Sequence, residues 1–200
     1  MHQNPTGVDG RIAHGEKLSR VATTLQTIGR YDEAEKVHAT TATIMRNLLD
    51  DGCEDESIKQ SLLIYLQSLA TVNFLQTKYK RSRKFFDEHE ALCNDDLKDD
   101  PDSIFVINQL AENSLSRSLM EFSAWTENAT NTGCEIIEES PEIALIRRCL
   151  SKSKAYYDRV AEHQPLNHYQ QNQVEQLKQI GQLVDSTIEQ FRNAELETDL

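Results

Sequence analysis

The side chains with which this 200-residue chain could do chemistry are six histidines, four cysteines and one dense group of cations. His2, His14, His38, His89, His163 and His168 stand apart. None falls in His-Glu-x-x-His or in paired Glu-x-x-His, the spacings that put metal ligands on one helix face. Cys53, Cys93, Cys134 and Cys149 form no Cys-x-x-Cys pair, and the closest two are fifteen residues apart. Zinc and dithiol chemistry both need closer thiolates, so these read as scattered reduced thiols. Cys93, followed by acids, lacks the positive surroundings that activate a thiolate. No glycine-rich phosphate loop or Gly-x-Ser-x-Gly elbow occurs. The reading is a non-enzymatic chain with no catalytic residue, no metal and no cofactor.

Lys78, Lys80, Arg81, Arg83 and Lys84 place five cations within seven residues, against a net charge of −12. They fall at the expected start of a helix, where each cation opposes the dipole by roughly 0.3–1 kcal/mol. Something beyond local helix stability therefore accounts for them: an acidic peptide, a phosphate group or the chain's own acidic loops. A solvated face is the plain alternative. Arg83 and His89 also reproduce an Arg-x5-His spacing found in some helical ribonucleases, which scattered arginines and histidines generate by chance. The acidic stretches 50–56 and 95–102 lack the calcium-loop pattern and read as solubilising loops. With 21 basic against 33 acidic residues, nucleic acid and anionic membranes are poor partners.

Helices must position these groups. Seven Gly and four Pro are too few for the turns of an all-β sandwich. Apolar residues recur at three- and four-residue steps over 11–28, 31–49, 56–77, 79–93, 103–125, 141–163 and 166–195. Residues 1–10 read as a loose start, 94–102 as an Asp-rich linker and 126–140 as an inserted loop with room for a short helical turn. No apolar run approaches the ~20 residues of a membrane span. No basic leader precedes an apolar run, so the expected compartment is cytoplasmic. Asn128-Ala129-Thr130 fits the glycosylation pattern by chance on that reading.

Around the first predicted hairpin, Leu18, Val21-Ala22 and Leu25 precede Gly29-Arg30-Tyr31-Asp32-Glu33-Ala34. The second repeats the pattern with Leu66, Leu69-Ala70, then Thr77-Lys78-Tyr79, Ser82 and Phe86. Each position has a physical reason: small residues where helices cross, glycine at the turn, Tyr in the gap between hairpins. This resembles the tetratricopeptide repeat. Tyr31 and Tyr79 lie 48 residues apart, longer than the usual ~34 and similar to the long-helix, kinesin light chain-type repeats. A third unit pairs 103–125 (Leu115-Ser116) with 141–163, where the run from Tyr156-Tyr157 to Pro165 resembles the end of a repeat's second helix.

The resemblance implies an all-α antiparallel hairpin array, a right-handed superhelix of about seven helices. Its repeats would be 11–49, 56–93 and 103–163 with the loop 126–140 inserted, and 166–200 would form a capping helix and tail. It implies a concave groove for a partner protein or peptide, lined by Thr23, Gln26 and Thr27 (with Ser19), then Gln67, Thr71 and Phe74, then Asn113, Arg117 and Met120. The family's carboxylate-clamping members carry Lys and Asn at positions held here by Ser19 and Thr23, so that subclass is disfavoured. Two other readings stay open. Val174, Leu177, Gly181, Val184, Ile188 and Phe191 also step like a coiled-coil seam, which would make a self-associating structural protein. The same repeats could equally carry a peptide- or small-molecule-sensing regulator. The expected state is a monomer or weak homodimer.

Overall fold

The structure is a computed structural model that describes residues 7–132 and 140–198. Among these the chain is all-α, with seven helices: α1 Val8–Thr27, α2 Tyr31–Asp50, α3 Glu56–Leu75, α4 Tyr79–Asp99, α5 Ile104–Thr132, α6 Pro141–His163 and α7 His168–Thr198. It divides into two compact units, Met1–Leu92 and Cys93–Leu200, with the boundary inside α4. None of the described helices is long and apolar enough to cross a membrane.

In the first unit, Ala42, Met45 and Leu48 of α2 pack with Ile58, Leu62, Tyr65, Leu66 and Leu69 of α3. Ile12 of α1 and Phe85 and Leu92 of α4 close this core from its margins. Ala22 and Ala34 are fully buried on α1 and α2. A side chain at Gly15 would come within 2.5 Å of the Met45 methyl, a measure of how closely these two helices approach. The chain reverses after α1 through Gly29, at φ 78°. Gly29 N–H donates to the Gln26 carbonyl (3.0 Å) and Arg30 N–H to that of Leu25 (2.8 Å), the paired bonds of a Schellman end. Gly52, at φ 80°, ends α2 with the same two bonds.

The end of α3 uses the same pair, Thr77 to Phe74 (2.8 Å) and Lys78 to Asn73 (2.9 Å), but with Thr77 at φ 55°. A β-branched residue is strained there, by roughly 1–2 kcal/mol against glycine's flexibility cost of roughly 0.5–1. Thr77→Gly is therefore expected to raise the stability of the first unit by about 0.5 kcal/mol or slightly more. Urea unfolding checks this, and a loss of stability would show the αL conformation of Thr77 to be unstrained.

The second unit packs Ala111, Leu115, Phe122 and Trp125 of α5 with Ile143, Ile146 and Tyr157 of α6 and Leu177, Ile180, Val184 and Ile188 of α7. Ser153 on α6 donates to the Ala111 carbonyl (2.8 Å), pinning α6 to α5. Ser140 caps α6 by accepting from Ile143 N–H, with Pro141 in its first turn. Asn167 and Gln170 cap α7 reciprocally, each side chain accepting from the other's backbone N–H at 2.9 Å.

Three sequence expectations are corrected. Residues 8–10, read as loose, already belong to α1. The 94–102 linker is helical as far as Asp99, where Lys98 reaches Asp95 at 2.7 Å and complements the helix's negative end. Residues 126–132 of the presumed inserted loop continue α5. There Ala129 is buried one turn beyond Trp125, and the Thr126 and Thr130 hydroxyls donate back to the Phe122 (3.1 Å) and Thr126 (2.8 Å) carbonyls. Side chains that favour loops are satisfied within the helix instead. The rest of that loop, 133–139 with Cys134, lies outside the described residues.

Candidate functional site

On α1, Thr23 and Thr27 are exposed and Ser19 and Gln26 half-buried. On α3, Gln67, Thr71 and Phe74 are half-buried. The two helices are tied where Tyr65 of α3 shares a hydrogen bond with Ser19 of α1 and another with Ser61. Burial pushes the Tyr65 phenol up, partly offset by those bonds. The six predicted groove residues of the first unit thus sit on two neighbouring helices.

Their chemistry differs from the expectation. Thr23, Thr27 and Thr71 donate their hydroxyl protons to the carbonyls of Ser19 (3.0 Å), Thr23 (2.9 Å) and Gln67 (2.9 Å). Toward a ligand they present methyls and acceptor lone pairs. Phe74 packs its ring against Tyr79, centroids 6.4 Å apart. The apolar anchors on α3 are two residues that the repeat pattern did not single out, Ile64 and Leu75, 46% and 43% exposed. Eleven residues apart, they fall on one helix face with Thr71. Ile64 lies off the apolar stripe of Ile58, Leu62, Leu66 and Leu69, which was the detectable signal, whereas Leu75 continues that stripe in three- and four-residue steps through Val72 and is exposed against the expectation.

In the second unit the groove expectation fails for two of three residues. Asn113 is 1% exposed and Met120 0%, and the Arg117 side chain is largely covered, near Glu121. Burial runs around most of α5, from Val106 through Leu110, Ser114, Ser118 and Phe122. A helix enclosed on most sides offers no open face for a partner. Asn113 and Met120 belong to the interior.

The cationic cluster is partly spent inside the protein. Lys78 reaches Glu35 (3.0 Å) and Asp32 (3.1 Å) on α2, and Arg81 reaches Glu35 at 2.6 Å. The Gln76 amide donates to Glu35 at 3.3 Å. The hydrogen bonds that Lys78 donates to Glu35 and Asp32 hold its ammonium above the usual lysine range. The Glu35 carboxylate is buried, so this lattice latches the α3–α4 turn to the first turn of α2 around a polar cavity of about 410 Å³. The chain's own acids are thus the partners of Lys78 and Arg81, supplied by α2 rather than by the Asp-rich stretches. Lys80 and Lys84 are exposed on α4, and Arg83 is half-buried.

His89 is fully buried on α4, and Arg83, six residues before it, is half-buried. His38 is buried as well, and neither ring nitrogen has a hydrogen-bond partner. Burial pulls its pKa from 6.5 to about 4. No group of three metal-binding side chains converges among the described residues.

No family model, curated protein or solved structure matches this chain. Its function is therefore argued from its own residues.

Proposed function

We propose that this chain is a non-enzymatic interaction module built on tetratricopeptide-like hairpins, which binds a partner segment along the α1–α3 face of the first unit. One observation carries the reading: Ile64 and Leu75 stand exposed on the same face of α3 as Thr71, beside the helix that presents Thr23 and Thr27. Two apolar anchors flanked by hydroxyl acceptors suit a peptide that buries one or two apolar side chains while its backbone N–H groups are accepted. Arg117 and Met120 are not part of this surface. The glycine turn and the buried alanines of the first hairpin support the repeat reading, because they occupy the positions whose physics it requires. Leu177, Val184 and Ile188, three of the six residues of the alternative coiled-coil seam, are buried in the core of the second unit, which favours the interaction-module reading over the zippered one.

The test is selection of peptides from a random display library on the intact protein, followed by fluorescence-anisotropy titration of the winners. The Ile64→Glu, Leu75→Glu double variant is expected to bind them at least about tenfold more weakly, a loss of about 1.4 kcal/mol, with unchanged helical circular dichroism. Equal affinity for both proteins, or a library that yields no binder, would overturn the proposal.

A further inference from the structure

The buried residues of α1 are Gly15 and Ala22, seven apart on the side where Gly15 meets Met45 and Thr41 of α2. A helix whose remaining surface meets only water is polar there. α1 carries a second apolar stripe instead, Leu18, Val21, Leu25 and its C-cap Ile28, in steps of three and four. Val21 and Ile28 are 51% and 60% exposed, and Leu18 and Leu25 are half-buried. Such steps form the seam along which one helix packs on another. The stripe is distinct from the α1–α3 face, because Val21 and Thr23 leave Ala22 by roughly 100° in opposite directions around the helix.

The charges of α1 are sorted about this stripe. Lys17 and Arg20, both exposed, border it, one turn and one residue before Val21. Neither makes an ion pair among the described residues. Glu16 lies more than a third of a turn around from Val21 and acts on the Tyr65 phenol of α3. Asp9, two turns before Glu16, shares its side. Arg11 is held by Asp51 at 2.9 Å. Thr24, beside the stripe, spends its hydroxyl on the Arg20 carbonyl (2.9 Å) and shows its methyl. The stripe thus offers two exposed aliphatic side chains and two unpaired cations, with no acid of α1 beside it.

Those features select the occupant. Exposed cations attract an anionic surface, and the seam spacing suits a helix with an apolar face of its own. A second copy fits poorly: two α1 stripes laid together bring Lys17 and Arg20 from both sides and no acid to meet them. An anionic membrane would also press against the rest of a chain of net charge −12, whereas a single helix meets only the stripe. We propose that the outer stripe of α1 docks an acidic amphipathic helix of a partner protein, its apolar face on Val21, Leu25 and Ile28 and its carboxylates on Lys17 and Arg20. The site does not depend on the α1–α3 face. Because both cations are exposed, they set selectivity and association rate more than affinity, and binding weakens as salt screens them.

The probe is a labelled synthetic helix of about three heptads with Leu at the a and d positions and Glu at e and g, titrated by fluorescence anisotropy against the intact protein. Its control carries Lys in place of Glu. The Glu-bordered peptide is expected to bind saturably and at least about tenfold more tightly than the Lys-bordered one. The Val21→Glu, Ile28→Glu variant is expected to bind it at least about tenfold more weakly, with unchanged helical circular dichroism. Lys17→Glu, Arg20→Glu is expected to invert the preference, a gain that misfolding cannot produce. Ile64→Glu, Leu75→Glu is expected to leave binding unaltered, which separates this site from the α1–α3 face. No saturable binding up to about 200 μM, equal affinity for the two peptides, undiminished binding by a folded Val21→Glu, Ile28→Glu protein, or loss confined to the Ile64→Glu, Leu75→Glu protein would overturn the proposal. A dimer that Val21→Glu, Ile28→Glu dissociates, or uptake by phosphatidylserine vesicles without peptide binding, would overturn it in favour of a second copy or a membrane.

Discussion

Lowering the pH from 7.5 to 5 is expected to remove about 2 kcal/mol of stability through His38 alone. The imidazole is 1% exposed, neither of its nitrogens is hydrogen-bonded, and burial lowers its pKa from 6.5 to about 4. A folded-state pKa below the unfolded value means that the folded protein resists protonation. Its full stability is therefore present above pH 6.5, falls as the unfolded chain takes up the proton, and stops falling below about pH 4, after a total of about 3 kcal/mol. His38→Leu removes the titration and also the two unpaired nitrogens, whose desolvation costs roughly 1–3 kcal/mol in such positions. The variant is expected to be at least as stable as the parent at pH 7.5 and to gain on it steadily as the pH drops. Urea unfolding of both proteins at half-unit intervals from pH 4.5 to 7.5 measures this. Parallel curves would show that His38 is solvated or paired in the folded protein.

Met120→Ala is expected to cost about 3 kcal/mol, within the range for truncating a fully buried methionine. Read from sequence alone, Met120 lined a groove, and truncating a groove residue changes stability by no more than about 0.5 kcal/mol. The two readings therefore differ severalfold in one measurement. For a unit of about 100 residues, 3 kcal/mol lowers Tm by more than 10 °C. A shift of only a degree or two, accompanied by lost peptide binding, would return Met120 to the surface.

What sequence could say about each element followed from how local its causes are. α6 is legible at both ends because Pro141 suits the first turn and Pro165 prevents continuation; the Ser140 cap adds to this in the structure. The turn after α1 was legible because Gly29 adopts a conformation that few other residues tolerate. The turn after α3 has no glycine to mark it and is placed by the repeat pattern at Thr77-Lys78-Tyr79, where Thr77 holds the same conformation against its preference. The far end of α5 was misread because Asn and Thr disfavour a helix only modestly, and here the Thr126 and Thr130 hydroxyls find carbonyls one turn back while Ala129 is buried. The predicted groove fared according to its neighbours. On α1 and α3 the polar positions keep access to solvent, whereas on α5 the same register places Asn113 and Met120 inside.

By itself, then, the amino-acid sequence determined that the described residues are all-helical, where most of their seven helices lie and which stripe of each is apolar. These follow from short-range causes: backbone preference, capping and a three-to-four-residue period. Only the tertiary structure decided which exposed positions remain exposed. It spent Lys78 and Arg81 on Glu35, stripped His38 of partners, enclosed α5 and left Val21 and Ile28 of α1 uncovered. Each of those outcomes depends on what a second helix places opposite the residue, and a period along one helix carries no information about its neighbours.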